Sequence, residues 1–310
     1  MNTSAQNIPT RLNILIFCLT LPATWGLLWM ASHLPLGWML LAAWLFALIN
    51  NTAFSLMHEA VHGVFSANRR INEIFGTLCA PTLPTSFTVQ RIAHAGHHRR
   101  NRTDRELFDY YLPGQSKRGR DLILYGGNLL GLYWFFIPLN ALIYLCLPWL
   151  FRSRRFIEGP ARWLSFEPFV RDIVASRQSS RIWLECLWAL LYHVALFWLL
   201  GLNWQGWLLC YWAFALHWSS LQYVDHAWSV RDVVNGAWNL KVLRLSRLLA
   251  LNYHCHLAHH QHPQAPWTEL PRLVDPARPQ PTFWAIYFSL WRHGTRPAPP
   301  MGQEPSPPAA

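Results

Sequence analysis

The sequence predicts an all-α integral membrane protein with about four transmembrane helices in two hairpins and a histidine-rich, metal-binding cap on the cytoplasmic side. Three observations predict this class. The chain is 52% hydrophobic and only 13% charged, against a usual charged share of about 25%. It holds 19 tryptophans in 310 residues, and tryptophan favours the membrane–water interface. Eight of its 15 histidines fall into three clusters that follow apolar runs.

The formal net charge of +11 would also suit a nucleic-acid binder. The basic residues, however, lie between long apolar runs, as charges that flank membrane helices do. We therefore expect no nucleic-acid partner. The six cysteines are scattered and form no C-x-x-C pair, so we expect neither disulfides nor a zinc–thiolate site.

The first hairpin begins with Leu12–Met30, which carries no charge and has about the 20 residues needed to cross a bilayer. A signal peptide is the alternative, but its apolar region is only about 7–15 residues long. A short uncharged connection, Ala31–Pro35, leads to a second span at Leu36–Met57. His58 then lies where this helix leaves the membrane.

The next segment, Gly63–Asp121, carries ten basic residues and is therefore expected on the cytoplasmic side. Asp121–Phe151 is apolar but interrupted by Gly126-Gly127 and Pro138. A single crossing there would send the arginine-rich stretch 152–181 outside, against the positive-inside rule. We therefore predict a re-entrant hairpin with no net crossing.

Ile182–Leu202 and Trp204–Tyr223 form the second predicted hairpin. Glu185, His193 and His217 lie inside it, and ionisable residues within a membrane are costly and suggest function. A neutral histidine bonded to a neighbouring helix is the alternative. We expect one membrane domain over residues 1–295 and a disordered tail rich in proline and alanine over 296–310.

The three clusters are His58-Glu59-Ala60-Val61-His62, His94-Ala95-Gly96-His97-His98 and His256-Leu257-Ala258-His259-His260. On a helix, residues three or four apart share a face, with Cβ atoms about 5–6 Å apart. Eight clustered histidines, with His226 as a ninth, are too many for one ion but suit two. Imidazole ligands alone leave iron, copper, nickel and zinc open.

Other kinds of protein also use histidines in such patterns. His58-Glu59-x-x-His62 alone is a zinc-protease motif, but zinc takes three protein ligands in such sites, which leaves two clusters unexplained. A metal transporter would place its histidines along a path through the membrane, whereas these are expected on one side. An apolar interior beside two metals suits a long lipid chain, and iron with dioxygen supplies the oxidant that an unactivated C–H bond requires.

The clusters resemble the three histidine boxes of the membrane fatty acid desaturase superfamily, H-x(3,4)-H, H-x(2,3)-H-H and H/Q-x(2,3)-H-H. The resemblance runs from about Ala53 to Leu273 and includes the segment His260–Trp267 after the third box. It implies two iron ions held by the box histidines and dioxygen as co-substrate. It also implies a further histidine ligand after the last span, which His226 fits, and an amide that holds a metal-bound water, which Gln222 fits. We predict that the helix beginning at Trp204 carries both residues one turn apart on one face, with Asp225 pointing elsewhere. His254 and His262, which flank the third box, are weaker candidate ligands.

The resemblance further implies an enzyme that desaturates a fatty acyl chain. Alkane and carotenoid hydroxylases and carotenoid ketolases share the boxes and are the alternative. The His-Pro-Gly-Gly motif of a fused haem domain is missing from the sequence, so a separate ferredoxin or flavoprotein reductase is the expected electron donor. The basic residues Arg99, Arg100, Arg102, Lys117, Arg118 and Arg120 are its predicted docking patch. The alternative is that these charges only set the membrane topology.

Overall fold

The computed structural model describes residues 7–302, and most of these residues are helical. The α-helices are α1 (Thr10–His33), α2 (Leu36–His62), α3 (Arg69–Cys79), α4 (Phe87–Arg100), α5 (Lys117–Leu122), α6 (Phe136–Cys146), α7 (Arg154–Phe156), α8 (Glu167–Ala175), α9 (Ser179–Leu200), α10 (Trp204–Val224), α11 (Arg244–Leu249), α12 (His256–Gln261) and α13 (Phe283–His293). Two short strands, β1 (Tyr110–Tyr111) and β2 (Arg296–Pro297), pair in parallel. The helical class is confirmed.

Three of the described helices, α1, α2 and α9, are long and apolar enough to cross a membrane. Helices α1 and α2 contain the first two predicted spans, and α9 covers the third, Ile182–Leu202, as far as Leu200. The fourth predicted span forms α10, but this helix does not reach the same hydropathy, because it carries Gln205, His217, Gln222 and several tryptophans. By length and composition the described chain therefore has three such helices, or four if a bent helix pair counts as one span.

That bent pair lies in the predicted re-entrant segment. Its halves, Lys117–Leu129 and Leu132–Cys146, meet at an angle of 73°. The break falls at Leu130–Gly131 rather than at Gly126-Gly127 or Pro138. Gly131 has φ 74°, and a Cβ there would lie 2.7 Å from the carbonyl carbon of Ala215. Glycine is needed at this bend both for its backbone conformation and for the close backbone approach.

The described chain forms two compact units, and the first covers residues up to Gly96 together with Phe135–Phe214. Within it α1 packs along α2, α2 against α3, and α6 against α9. Buried and half-buried polar groups join these helices. Trp25 Nε1 donates to the Tyr192 hydroxyl at 2.8 Å, and Asn72 Nδ2 donates to the Ala60 carbonyl at 2.8 Å, so α3 is tied to the end of α2 that carries His58 and His62.

Glu185 of α9 anchors the start of α4. Its carboxylate accepts hydrogen bonds from the Ser86 hydroxyl at 2.6 Å, the Thr88 amide at 2.7 Å and the Thr88 hydroxyl at 3.0 Å. Arg181 Nε donates to it at 2.8 Å. An anion at a helix N-terminus is stabilised by the unpaired amides and the helix dipole. Glu185 therefore has a structural role in placing the helix that carries the second histidine cluster.

The two histidines inside the predicted second hairpin are not part of any metal-binding group among the described residues. His193 Nε2 lies 3.0 Å from the Pro81 carbonyl, and its Nδ1 lies 3.3 Å from Trp207 Nε1. Both ring nitrogens are thus used in bonds between neighbouring elements. For His193 the structure supports the alternative given above, a neutral histidine that is bonded to its neighbours.

The second unit covers His97–Trp134 and the described residues from Ala215 onward. Its core contains Leu124, Leu129, Val224, Trp228, Leu240, Ile286 and Leu290. The segment after α13 packs on this unit, since the Arg296 amide donates to the Asp109 carbonyl at 3.0 Å and the Gly302 amide donates to the Arg231 carbonyl at 2.9 Å. Arg296, Ala298 and Gly302 of the predicted disordered tail therefore make backbone hydrogen bonds to this unit, and residues 303–310 lie outside the described residues.

We predict that Glu185→Ala lowers the free energy of unfolding by about 1.5–3 kcal/mol, the usual contribution of hydrogen bonds to a charged group. Glu158→Ala is the matched control, because Glu158 also pairs with an arginine four residues away but is 36% exposed, against 8% for Glu185. The control should lower the free energy of unfolding by about 0.2–1 kcal/mol, the usual contribution of an exposed ion pair. Denaturant unfolding of the purified protein in mixed micelles measures both, and equal costs would contradict an anchoring role.

Candidate metal centre

The first unit brings three box histidines together. Helix α2 continues past Met57 to His62, so His58 and His62 lie one turn apart on the same helix, and α4 supplies His94. His58 Nε2 lies 3.0 Å from His94 Nε2, and the candidate ligand atoms of the three side chains lie within 4.8 Å of one another. His58, His62 and His94 therefore form one group of candidate ligands within this unit.

The second unit brings four more histidines together: His97 of α4, His226 after α10, and His256 and His260 of α12. His97 Nε2 lies 3.2 Å from His260 Nε2, and His226 Nε2 lies 3.0 Å from His256 Nε2. The ligand atoms of all four residues lie within 4.8 Å of one another. His226, which belongs to no box, is thus a full member of this group.

His98 and His259 form a further pair in the second unit, with their Nε2 atoms 3.1 Å apart. The spacing of all these nitrogens can be compared with that around an ion. Two imidazole nitrogens bound at about 2.0–2.1 Å to one ion lie roughly 3–4 Å apart. The observed separations of 3.0–3.2 Å fit this requirement, so the side chains present suit metal ions bound through nitrogen.

Burial prepares these histidines to act as ligands. His226, His256, His259 and His260 are all less than 5% exposed. Burial and the neighbouring imidazoles lower the pKa of His226 and of His260 well below the ordinary value of histidine. A neutral imidazole has the free lone pair that a metal needs, so the donors are available at neutral pH.

The position of His226 differs from the prediction. We expected one helix to carry Gln222 and His226 one turn apart, but α10 ends at Val224 and His226 lies in the turn that follows. Asp225, which we expected to point elsewhere, is fully buried, and its Oδ1 lies 3.9 Å from His226 Nε2. The helix ends early because the chain turns to pair Trp238 N with the Asp225 carbonyl at 2.7 Å.

Gln222 lies in the second unit but outside the metal-binding groups. Its Oε1 accepts a hydrogen bond from the Tyr253 hydroxyl at 2.9 Å. Its Nε2 is buried and makes no hydrogen bond within the described residues. An amide donor is therefore free for a water molecule.

A buried polar scaffold holds the loop beside His226. Arg102 donates to both oxygens of Asp109, at 2.7 and 3.0 Å, and Asp109 Oδ2 accepts from the Trp228 amide at 2.8 Å. His226 Nδ1 lies 2.7 Å from the Gly236 carbonyl. A Cβ on Gly236 would lie 2.4 Å from Arg102 Cγ. Glycine is therefore required there, and the scaffold directs His226 Nε2 towards the other three histidines.

The structure also places the two histidines that flank the third box, and it shows two carboxylates that sequence reasoning missed. His254 and His262, which flank the third box and which we considered as weak candidate ligands, belong to neither metal-binding group. Glu106 and Asp225 were not predicted to take part, yet Glu106 Oε1 contacts His97 Nδ1 and Asp225 Oδ2 lies 3.5 Å from His256 Nδ1. For Asp225 the signal was its place beside His226. For Glu106 no local spacing pointed to the contact.

The fold and the histidine groups define a helical protein with candidate membrane-spanning helices and two nitrogen-rich groups that could hold metal ions. The family model for fatty acid desaturases matches residues 34–291. Because this match covers most of the chain, the protein belongs to the fatty acid desaturase family. Among curated proteins, none matches the chain.

We predict that His226→Ala removes metal from the second-unit group as well as activity, because it deletes one of four converging nitrogens. Gln222→Ala should be milder, since losses of groups outside the ligand shell run to about 10–100-fold. Elemental analysis and turnover of the purified variants provide the measurement. Full metal content together with near-normal turnover in His226→Ala would mean that this histidine only packs in the group.

Proposed function

We propose that this protein is a dioxygen-dependent di-iron oxidoreductase of the membrane that desaturates a fatty acyl chain. The observation that carries the proposal is the convergence of His97, His226, His256 and His260 through their Nε2 atoms, in a chain that belongs to the fatty acid desaturase family. Desaturation is the more specific part of the proposal, and hydroxylation or ketonisation of an alkyl lipid or carotenoid is its alternative.

The histidines divide into sets that suit two ions. His58, His62 and His94 are the proposed ligands of one iron, and the four second-unit histidines are those of the other. His98 and His259 are the remaining proposed iron ligands. Bound iron would supply the dioxygen chemistry that breaks unactivated C–H bonds. The protein's own part is to hold neutral imidazoles in place, bury them away from water and orient His226 through the Gly236 carbonyl.

The overall reaction needs electrons from outside the chain. A –CH2–CH2– unit, dioxygen, two electrons and two protons balance with –CH=CH– and two waters. The hydrogens leave adjacent carbons of the acyl chain, and both oxygen atoms leave as water. A ferredoxin or a flavoprotein reductase is the proposed electron donor.

Purified protein expressed with iron available should contain about two iron ions per chain, since imidazole-rich sites of this kind accept iron. Lipids of cells that express the protein should gain a double bond, and those of cells that express His97→Ala should not. Elemental analysis and mass spectrometry of total lipids measure these outcomes. Products that gain oxygen would favour the hydroxylase alternative, whereas one zinc and no iron would contradict the di-iron proposal.

We propose that the protein lies in the cytoplasmic (inner) membrane with its histidines on the cytoplasmic side, following the positive-inside rule. Two variants, Gln205→Cys and Arg155→Cys, test this orientation. In both, the exposed Cys18 and Cys146 are replaced by serine. Gln205 is preferable to Asn203, whose side chain bonds the Ser32 carbonyl and the Gly206 amide.

An impermeant maleimide added to intact cells should label the cysteine at 205 and spare the cysteine at 155 until the cells are opened. Labelling of the cysteine at 155 in intact cells would mean that the bent pair Lys117–Cys146 crosses the membrane.

The predicted docking patch for the electron donor needs correction. Arg102 and Arg120 are buried, at 1% and 9% exposure, because Arg102 pairs with Asp109 and Arg120 donates to the Leu107 carbonyl. Neither can steer a partner. Arg99, Lys117 and Arg118 are exposed, and we propose that they attract an acidic redox protein.

Arg118→Glu should slow turnover with ferredoxin at low salt, because charge complementarity acts mainly on the association rate, while the exposed Arg278→Glu should leave it unchanged. Steady-state rates over a range of ionic strength provide the measurement. Rates for Arg118→Glu that match those of wild type at every salt concentration would mean that these charges do not guide the donor.

A further inference from the structure

The second-unit histidines all approach one another through Nε2. A neutral imidazole that binds a metal through Nε2 carries its proton on Nδ1, and an acceptor at Nδ1 fixes both this tautomer and the ring orientation. For His226 the acceptor is the Gly236 carbonyl at 2.7 Å. A group that faces Nδ1 of His97 or His256 could fix the tautomer and orientation of that ring in the same way.

Glu106 faces Nδ1 of His97. It lies in the turn after α4, where its amide donates to the Thr103 carbonyl at 2.9 Å, and its Oε1 is in hydrogen-bond contact with His97 Nδ1. The other ring nitrogen of His97 lies 3.2 Å from His260 Nε2. The Glu106 carboxylate thus contacts Nδ1 of His97, whereas Nε2 of the same ring faces the other second-unit histidines.

Asp225 faces Nδ1 of His256. Its side chain is fully buried, and its oxygens make no hydrogen bond within the described part of the chain. Oδ2 lies 3.5 Å from His256 Nδ1, and Oδ1 lies 3.9 Å from His226 Nε2. A buried carboxylate without hydrogen bonds is unfavourable by itself. A nearby bound cation would offset that cost, since such an ion is often the largest charge in its surroundings.

We propose that Glu106 and Asp225 are positioning residues that hold His97 and His256 with the proton on Nδ1, so that both Nε2 atoms face one metal ion. This inference rests on the proposed metal site. The two carboxylates also place negative charge beside a site whose ligands are neutral, so that they raise its affinity for a divalent cation without touching it.

For Glu106 the test is a chelator challenge of the purified, iron-loaded full-length protein. Glu106→Ala should lose half of its iron at an EDTA concentration about 10–100-fold lower than wild type needs, the range found for groups behind a ligand. Glu106→Gln should recover part of the difference, because its amide oxygen still accepts from Nδ1. Glu269→Ala is the matched control, since the Glu269 and Glu106 side chains are both 34% exposed and the Glu269 carboxylate pairs with Arg272 rather than with a histidine.

Retention of iron by Glu106→Ala at wild-type EDTA concentrations would overturn the role of Glu106. That result is distinct from a failure of the proposed function, in which the wild-type protein itself would hold no iron.

For Asp225 the test is thermal unfolding of iron-loaded protein with and without excess EDTA. Asp225→Asn should reduce the rise in Tm that iron produces, because a charged neighbour of the ligands is lost. In EDTA the same variant should melt no lower than wild type, since asparagine needs no buried charge. The exposed Asp275→Asn should change neither value. An equal fall in Tm with and without EDTA would identify Asp225 as a structural residue and overturn its proposed role.

Discussion

The second unit depends on the ion pair between Arg102 and Asp109, whose side chains are 1% and 0% exposed. Removing two charges from water costs several kcal/mol per ion, and only good geometry with further hydrogen bonds can offset this. The pair meets the condition. Its two parallel bonds are supplemented by the Trp228 amide on Asp109 and by Arg102 Nη2 donating to the Ser229 carbonyl at 3.2 Å. The region after α4 is thereby locked to the turn that carries His226.

The same rule accounts for the buried charges of the first unit. Glu185 is covered by two hydroxyls, an amide and Arg181, and Arg181 also pairs with Glu73. Partial burial by itself would raise the pKa of Glu73, but hydrogen bonds and charges from Arg181 and Arg91 lower it below its ordinary value. Glu73 therefore stays ionised near neutral pH. The ion pairs of Glu73 with Arg91 and Arg181 help to fix the start of α4, the helix on which His94 lies.

The chemistry of the candidate centre follows from its donors. Every proposed ligand is an imidazole, and the carboxylates lie behind the ligands at Nδ1. Desaturation and hydroxylation share the dioxygen chemistry that the proposed iron ions would supply. The two reactions differ in which hydrogens of the substrate lie within reach, and this depends on how the acyl chain is held rather than on the ligand set. Family membership indicates an oxidoreductase, and under the proposed function the product depends on the substrate's position.

Features that depend on local spacing could be predicted from the sequence. The apolar runs became α1, α2 and α9, and the i, i+3 and i+4 spacing within the boxes placed His58 with His62 and His256 with His260, because a helix brings such residues to one face. His226 was also predicted as a member of the site. Its route there was not, since we extended α10 beyond Val224 and the tertiary contacts of Trp238 and Gly236 set the turn instead.

Only the tertiary structure decided which residues far apart in the chain are in contact. Arg102 is indistinguishable in the sequence from its exposed arginine neighbours, yet packing buries it against Asp109 and Gly236. Residues 296–302 have the composition of a flexible tail, yet their backbone pairs with β1 and Arg231. Local periodicity determines which residues share a face of one helix. Which faces meet, and which charges are buried between them, depends on the packing of the whole unit.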